Sequence, residues 1–260
     1  YEAALEMCLR HFGGDHPEVV RGLNNVASCL HALGRSTEAL PKYEASTAMC
    51  ERLYKGDNPV VATGLNNVAA CLLALGRGTE ALTKHEAALA MHERLFKDDH
   101  PHVARSLNNV GNGLSALGRH AEALSKHEAA LAMYERLSRG DHPNVALSLV
   151  LVASCLRELG RDDLALPTYE SAVRMSRNCG AGESWRWSGL LGTLLLRMNR
   201  AVDAKPCFAE SIEGIESARQ SARGLGEAER QAYFDFLKSS GDPFNGMVRT
   251  LLAMGDAPEA

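Results

Sequence analysis

The sequence LNNVASCLHALGR, Leu23–Arg35, decides the fold because it recurs twice with few changes. It returns as LNNVAACLLALGR, Leu65–Arg77, and as LNNVGNGLSALGR, Leu107–Arg119. Each copy begins 42 residues after the previous one. Self-similarity at such a period indicates a stack of small structural units, each contacting its neighbours.

Prolines and glycines mark the same period. Each series advances by 42 residues: Pro17, Pro59, Pro101 and Pro143 in one, and Gly34, Gly76, Gly118 and Gly160 in the other. Proline suits the first turn of a helix, and glycine suits the left-handed residue that ends one. Leu23, Val26, Leu30 and Leu33 between them have helical spacing, which predicts a helix A in every unit.

A second apolar series follows the turn RST and predicts a helix B that runs to the loop YKGDNP. Its members in the first full unit are Ala39, Leu40, Tyr43, Thr47, Cys50 and Leu53. Each unit is therefore a helical hairpin. One hairpin cannot bury its apolar face alone, so neighbouring units must stack.

This hairpin resembles the tetratricopeptide repeat. The segment LNNVASCLHALGRSTEALPKYEAS matches the large and small packing positions of that family at Leu23, Val26, Ala27, Leu30, Gly34, Ala39 and Tyr43. The 42-residue unit with LNNVA and GDHP is similar to the kinesin light chain class. The resemblance covers residues 1 to about 178 and implies an all-α fold, a right-handed superhelical solenoid of antiparallel helix pairs.

The pattern changes after residue 178. Residues 1–178 are expected to form the regular units, the first of them partial. Residues 179–260 are expected to hold a fifth unit in LLGTLLLRMNRAVDAKPCF, an inserted extra helix, and a sixth unit that stops at Ala260. Both ends are expected to cut a hairpin, so that the chain is a piece of a longer protein.

Composition excludes several classes of function. A formal net charge of -4 without a basic block gives no surface for nucleic acid. No apolar run approaches the roughly 20 residues that span a bilayer, so a cytoplasmic protein without membrane contact is expected. The seven cysteines and ten histidines lack zinc spacing or a catalytic signature. We expect no metal, no cofactor and no enzymatic activity in this chain.

The histidines have simpler interpretations. His16, His100 and His142 precede the helix A prolines, where Asn58 replaces them, and are expected to cap the helices. His85 and His127 take the place of Tyr43 and are expected to be half-buried packing residues.

The adjacent asparagines are the candidate binding residues. On a helical wheel they lie opposite the apolar stripe, and the tetratricopeptide resemblance implies that this side of helix A lines a concave groove for a protein or peptide partner. The candidate peptide-binding residues are Arg21, Asn24, Asn25, Ser28, Thr63, Asn66, Asn67, Arg105, Asn108, Asn109 and Asn112. Arg21 and Arg105 could hold a carboxylate.

Two interpretations of the asparagines remain open. Interior asparagines lower helix stability, and their carboxamides can pair with the backbone of an extended peptide. Alternatively, duplication and hydrogen bonds between repeats keep them without any ligand. Thr63 becomes Arg105 and Ala70 becomes Asn112 while the doublet persists, which favours the peptide.

Two further features interrupt the pattern. In the fourth unit Val150 and Leu151 replace the doublet, either as an apolar pocket for a partner or as a surface covered by the irregular segment. Trp185 and Trp187 flank the break between regular and irregular units, where they either cap the joint or divide between core and surface.

The leading hypothesis is a scaffold that binds an extended peptide or protein segment. The tail GLGEAERQAYFDFLKSSGDPFNGMVRTLLAMGDAPEA resembles the segment before the caspase-like CHAT protease domain, which implies a regulatory arm and a protease domain of the same parent chain as partner. A third possibility is the sensor half of a signalling NTPase.

Overall fold

The computed structural model describes residues 2–12, 14–180 and 184–221, and every regular element in them is an α-helix. The predicted sixth unit lies outside the described residues, as does the segment predicted as an extra helix apart from its first residues, 216–221, which continue α11. The helices are α1 (Glu2–Phe12), α2 (Pro17–Ala32), α3 (Ser36–Leu53), α4 (Pro59–Ala74), α5 (Gly78–Leu95), α6 (Pro101–Ala116), α7 (His120–Leu137), α8 (Pro143–Glu158), α9 (Asp162–Asn178), α10 (Ser184–Arg197) and α11 (Ala201–Ser221). Helices A are α2, α4, α6, α8 and α10, and the helix after each is its helix B.

Each helix A in the regular part begins at a side-chain cap followed by proline. Nδ1 of His16 accepts from the Glu18 backbone N–H at 3.2 Å, and Oδ1 of Asn58 accepts from Val60 at 2.9 Å. Equivalent bonds are made by His100 and His142. The capping prediction is confirmed, and it requires each imidazole Nδ1 to be unprotonated.

The LGR motif ends helix A and starts helix B. Gly34 has φ 75°, which lets the Arg35 N–H bond the Leu30 carbonyl at 2.9 Å and close the helix. Asn199 takes this left-handed position after α10 with φ 59°. The arginine side chain then pairs with the first turn of helix B, as Arg35 does with Glu38.

The chain divides into two compact units between Met133 and Tyr134, within α7. In the first unit each helix packs on the next, from α1 through α6. Fully buried alanines such as Ala27, Ala39 and Ala69 let the helices approach closely, and larger residues including Val26 and Leu72 fill the space beside them. This agrees with the predicted large and small pattern.

In the second unit α8, α9, α10 and α11 also pack in chain order. Its largest fully buried side chains are Tyr169, Leu194 and Phe208. The Phe208 ring lies on Gly192, where a Cβ would approach it to 3.0 Å. The predicted fifth unit is therefore a packed hairpin of α10 and α11. Among the described helices, none has the length and apolar character needed to cross a bilayer.

Exposed ion pairs in the first unit join the end of helix B to the loop just before helix A of the same hairpin. Arg52 contacts both carboxylate oxygens of Asp15 at 2.6 and 2.7 Å, and Arg94 contacts Asp57 in the same way. Arginine holds the pKa of each aspartate below its usual value. Water and salt screen exposed pairs of this kind, so they contribute little to stability and packing carries most of it.

Buried histidine and asparagine side chains join helix A to helix B. His85 of α5 donates from Nδ1 to Oδ1 of Asn66 in α4 at 2.8 Å. His127 of α7 makes the same bond to Asn108 of α6 at 3.0 Å. All four side chains are buried. His85 and His127 are thus packing residues, as predicted, although they are fully buried rather than half-buried.

Ser106 extends the first of these contacts, between His85 and Asn66, into the next repeat. Its Oγ accepts from Nδ2 of Asn66 at 3.4 Å and lies 2.8 Å from Nδ1 of His92, which is 0% exposed. A chain of polar groups therefore runs through α4, α5 and α6. Burial lowers the pKa of His85, His92 and His127 to about 4.

The first and fourth repeats have tyrosine at the helix B position of these histidines, paired with a serine one turn further along helix A. Tyr43 bonds Ser28, and the Tyr169 hydroxyl lies 2.7 Å from Ser154 Oγ. Burial raises the pKa of both tyrosines, so they stay neutral. Either pair satisfies the polar atoms that helix B places against helix A.

The cap at α8 provides a test of local stability. We expect His142→Ala to lower the free energy of unfolding by about 1 kcal/mol, because the Asn144 N–H loses its acceptor. His142→Asn copies Asn58 and should change stability by less than half as much. Urea unfolding of the three proteins at neutral pH measures both; equal losses in the two variants would contradict the capping role.

Acid should weaken the core through the three buried imidazoles. Unfolded histidine takes up a proton near pH 6.5, whereas these take one up only near about 4, so the unfolded state binds more protons between those values. The free energy of unfolding is therefore highest above about pH 6.5, falls as the pH drops towards 4, and levels off below that pH. Each imidazole contributes roughly 3 kcal/mol to the loss. Thermal melts across this range measure it.

A matched variant identifies the source of the acid effect. Ala70→Ser with His85→Tyr copies the Ser28 and Tyr43 pair of the first repeat into the second. It should fold and lose about one third of the acid effect, because one of three buried imidazoles is gone. His85→Tyr alone is the control, because its new hydroxyl has no serine on helix A to bond. An unchanged pH profile in the double variant would rule out His85 as a contributor.

Candidate functional site

The two asparagines of each doublet point in different directions. Successive residues on a helix are about 100° apart, so a doublet cannot place both side chains equally in solvent. Asn66 and Asn108 are 7% and 5% exposed, whereas Asn67 and Asn109 are half-buried and Asn25 is exposed. The first asparagine therefore faces helix B, and the second faces outward.

Burial corrects the prediction that Asn66 and Asn108 contact a peptide. Their carboxamides are bonded to His85 and His127 inside the helix pair, where a ligand cannot reach them. Asn24 is half-buried, and its Oδ1 is buried without a hydrogen-bond partner among the residues that the structure describes. For Asn66 and Asn108, the structural interpretation is the one that the geometry supports.

The second asparagines form a repeated surface feature, the asparagine row, consisting of Asn25, Asn67 and Asn109. Their side chains make no hydrogen bond with any residue that the structure describes. The row lies on α2, α4 and α6, all within the first compact unit. Each carboxamide therefore keeps one acceptor and two donors for another molecule.

The other predicted residues flank the row one turn away on either side. Ser28 is exposed but bonded to Tyr43, and Asn112 is half-buried. The Thr63 hydroxyl donates to the Pro59 carbonyl of its own helix at 2.8 Å. The Thr63 hydroxyl therefore already uses its donor within its own helix. The residues beside the row differ from one repeat to the next.

Arg21 and Arg105 supply positive charge on the amino-terminal side of the row. Both are exposed. Arg21 forms an ion pair with Glu18, one turn earlier in α2. Arg105 instead donates from Nη2 to Nδ1 of His102 at 2.9 Å. The described structure gives Arg105 no carboxylate partner.

The fourth repeat presents apolar residues at these positions. Leu147 stands where Arg21 and Arg105 occur and is 41% exposed, Leu151 is half-buried, and Val150 is buried. Val150 therefore faces inward as the first asparagine does, and Leu151 is more exposed, as the second asparagine is. Which of the two predicted roles this surface has stays a prediction.

The tryptophans both pack in the hairpin of α10 and α11. Trp187 is 7% exposed. Trp185 is half-buried and lies so close to Gly214 that a Cβ there would approach its ring to 2.2 Å. Gly214 is therefore required for this contact, and the tryptophans have a structural role at the joint.

Sequence spacing did not reveal a contact between cysteine and histidine. Sγ of Cys71 lies 3.5 Å from Nδ1 of His31, which is also 2.9 Å from Ser36 Oγ. Burial raises the pKa of the Cys71 thiol to about 11, which disfavours the nucleophilic thiolate. The part of the chain that the structure describes also has no group of three metal-binding side chains.

Comparisons with known structures agree on the fold. Nearly identical TPR-like repeats of a Podosopora anserina kinesin light chain protein share 18% identity, with a TM-score of 0.62 over 78% of this chain and 98% of that one. BtubC from P. vanneervenii shares 16%, with a TM-score of 0.66 over 84% and 89%. The Rap conjugation gene regulator of plasmid pLS20, in complex with the Phr* peptide, shares 14%, with a TM-score of 0.66 over 92% and 74%.

No curated protein matches the sequence. The family model named tetratricopeptide repeat matches residues 1–52, 60–136 and 109–178, which is more than half of the chain. These are the residues that form the helix pairs with LGR turns and alanine contacts. The chain therefore belongs to the tetratricopeptide repeat family.

Proposed function

We propose that the first compact unit binds an extended segment of another protein along the asparagine row, with Arg21 and Arg105 beside it. The observation that carries this proposal is the division of each doublet. In the second and third repeats the first asparagine is bonded inside the fold, and in all three repeats the second has no hydrogen bond to the described chain. An interior asparagine disfavours the helix by about 0.5 kcal/mol relative to alanine, and no side-chain hydrogen bond to the described residues offsets this for the second one.

The chemistry of the row suits a peptide backbone. A carboxamide can accept from a peptide N–H and donate to a peptide carbonyl, so three of them on neighbouring helices can hold an extended chain whatever its side chains. Arg21 and Arg105 favour an acidic side chain on the same partner. The Rap regulator of similar fold, which is in complex with the Phr* peptide, is consistent with this mode of binding.

The alternative proposal, a regulatory arm for a caspase-like protease of the same parent chain, rests on residues 224–260. These lie outside the described residues. No contact, cavity or charge in the described part favours it, whereas the asparagine row supports the scaffold directly.

Paired substitutions separate binding from folding. We expect Asn67→Ala with Asn109→Ala to abolish binding of peptides selected on the native chain from a random display library. Thermal stability should stay equal or rise, because alanine is the better helix former. Isothermal titration and thermal melts of the same samples give the two results.

The first asparagines provide the matched control. Asn66→Ala with Asn108→Ala should lower stability by about 2 to 4 kcal/mol in total, because two buried imidazoles lose their partners. Peptide affinity of the folded fraction should change little. Unchanged affinity in the Asn67 and Asn109 variant, or a library that enriches no peptide on the native chain, would refute the asparagine row as a binding site.

A further inference from the structure

The arginines beside the asparagine row are held in two different ways at one repeat position. Residues 18, 60, 102 and 144 are equivalent and are Glu18, Val60, His102 and Asn144. Glu18 holds Arg21 by an ion pair, and His102 holds Arg105 by a neutral hydrogen bond, each one turn before its arginine. A carboxylate keeps its ion pair with arginine at any pH above its own titration, whereas an imidazole loses the acceptor nitrogen for this hydrogen bond on protonation.

His102 lies in a cluster of basic and aromatic rings. Its ring stacks at 5.3 Å on His92 of α5, lies 5.1 Å from His100 in the preceding loop, and is 5.7 Å from Phe96. The charged and titratable groups that face it are therefore His92, His100 and Arg105. Burial lowers the pKa of His102, and Arg105 and His100 lower it further.

Only the unprotonated Nδ1 of His102 can accept from Arg105. When His102 takes up a proton, Nδ1 becomes a donor and the imidazolium repels the guanidinium. Arg105 is exposed and has no carboxylate in the described structure to hold it, so its side chain is then free to turn towards a partner.

We propose that His102 is a proton-dependent positioning residue for Arg105, which releases this arginine to contact acidic segments bound along the asparagine row as the pH falls. The inference rests on the proposed function of that row. Protonation acts twice, because it frees one positive charge and adds another beside it. By linkage, an acidic partner bound at this place raises the proton affinity of His102, so binding takes up protons.

The first test follows the two side chains without any ligand. In the native chain, the guanidinium nitrogen signals of Arg105 and the ring signals of His102 should titrate with one shared midpoint below about pH 6.5 by NMR. Arg21 is the internal control and should show no step with that midpoint. His102→Val, which copies Val60, should remove the step at Arg105. A step at Arg105 that persists in this variant would overturn the proposal.

The second test measures binding of a synthetic tetraglutamate peptide at low ionic strength, where exposed charges are least screened. The native chain should bind it about threefold to fivefold more tightly at about pH 5.5 than at about pH 7.5. His102→Val should bind about threefold more tightly than the native chain at the higher pH and lose most of this pH dependence. His102→Glu, which copies Glu18, should bind weakly at both.

The outcomes separate the two proposals. Equal pH dependence in the native chain and in His102→Val, or no tetraglutamate binding at either pH, would overturn the role of His102. The asparagine row would still stand if Asn67→Ala with Asn109→Ala abolished binding of the library peptides. Retention of those peptides by the asparagine variant would refute the row itself, whatever His102 did.

Discussion

A carboxamide buried between two helices must find its hydrogen bonds there, and this requirement sets the rotation of helix A in the second and third repeats. Asn66 and Asn108 meet the histidines of helix B, so the following residue must lie about a quarter turn away and face outward. The position of the asparagine row is thus a consequence of a core contact. Surface and core are specified by adjacent residues.

Two pairs of side chains solve the same packing problem in different repeats. Histidine with asparagine occurs in the second and third, and tyrosine with serine in the first and fourth. Both pairs are neutral at physiological pH and satisfy their polar atoms. They differ in acid, because a buried imidazole can take up a proton there and a buried phenol cannot.

Much of the fold could be predicted from the sequence because its signals are local. Proline after a capping side chain, glycine in LGR and helical spacing each act within a few residues, and all appear in the structure at the expected places. The orientation of the doublet could not be predicted in the same way. A helical wheel places both asparagines opposite the apolar stripe and predicts that they face solvent. It does not show that His85 lies on the facing helix, where it bonds Asn66. The expected roles of Arg21 and Arg105 depended on charge alone, whereas their different partners, Glu18 and His102, appear only in the structure.

The contacts of Ser106 limit how the repeats can be rearranged. The His85 and Asn66 pair lies within one repeat, so duplication of a single unit copies it complete. Ser106 instead bonds Asn66 and His92 of the preceding repeat, where Gly22 and Gly64 occupy its position in other units. Exchanging the second and third repeats would therefore separate Ser106 from both partners, and serine would follow His92 only because the fourth repeat has Ser148 at the same position. Although the units are alike in sequence, the buried contacts between them depend on their order along the chain.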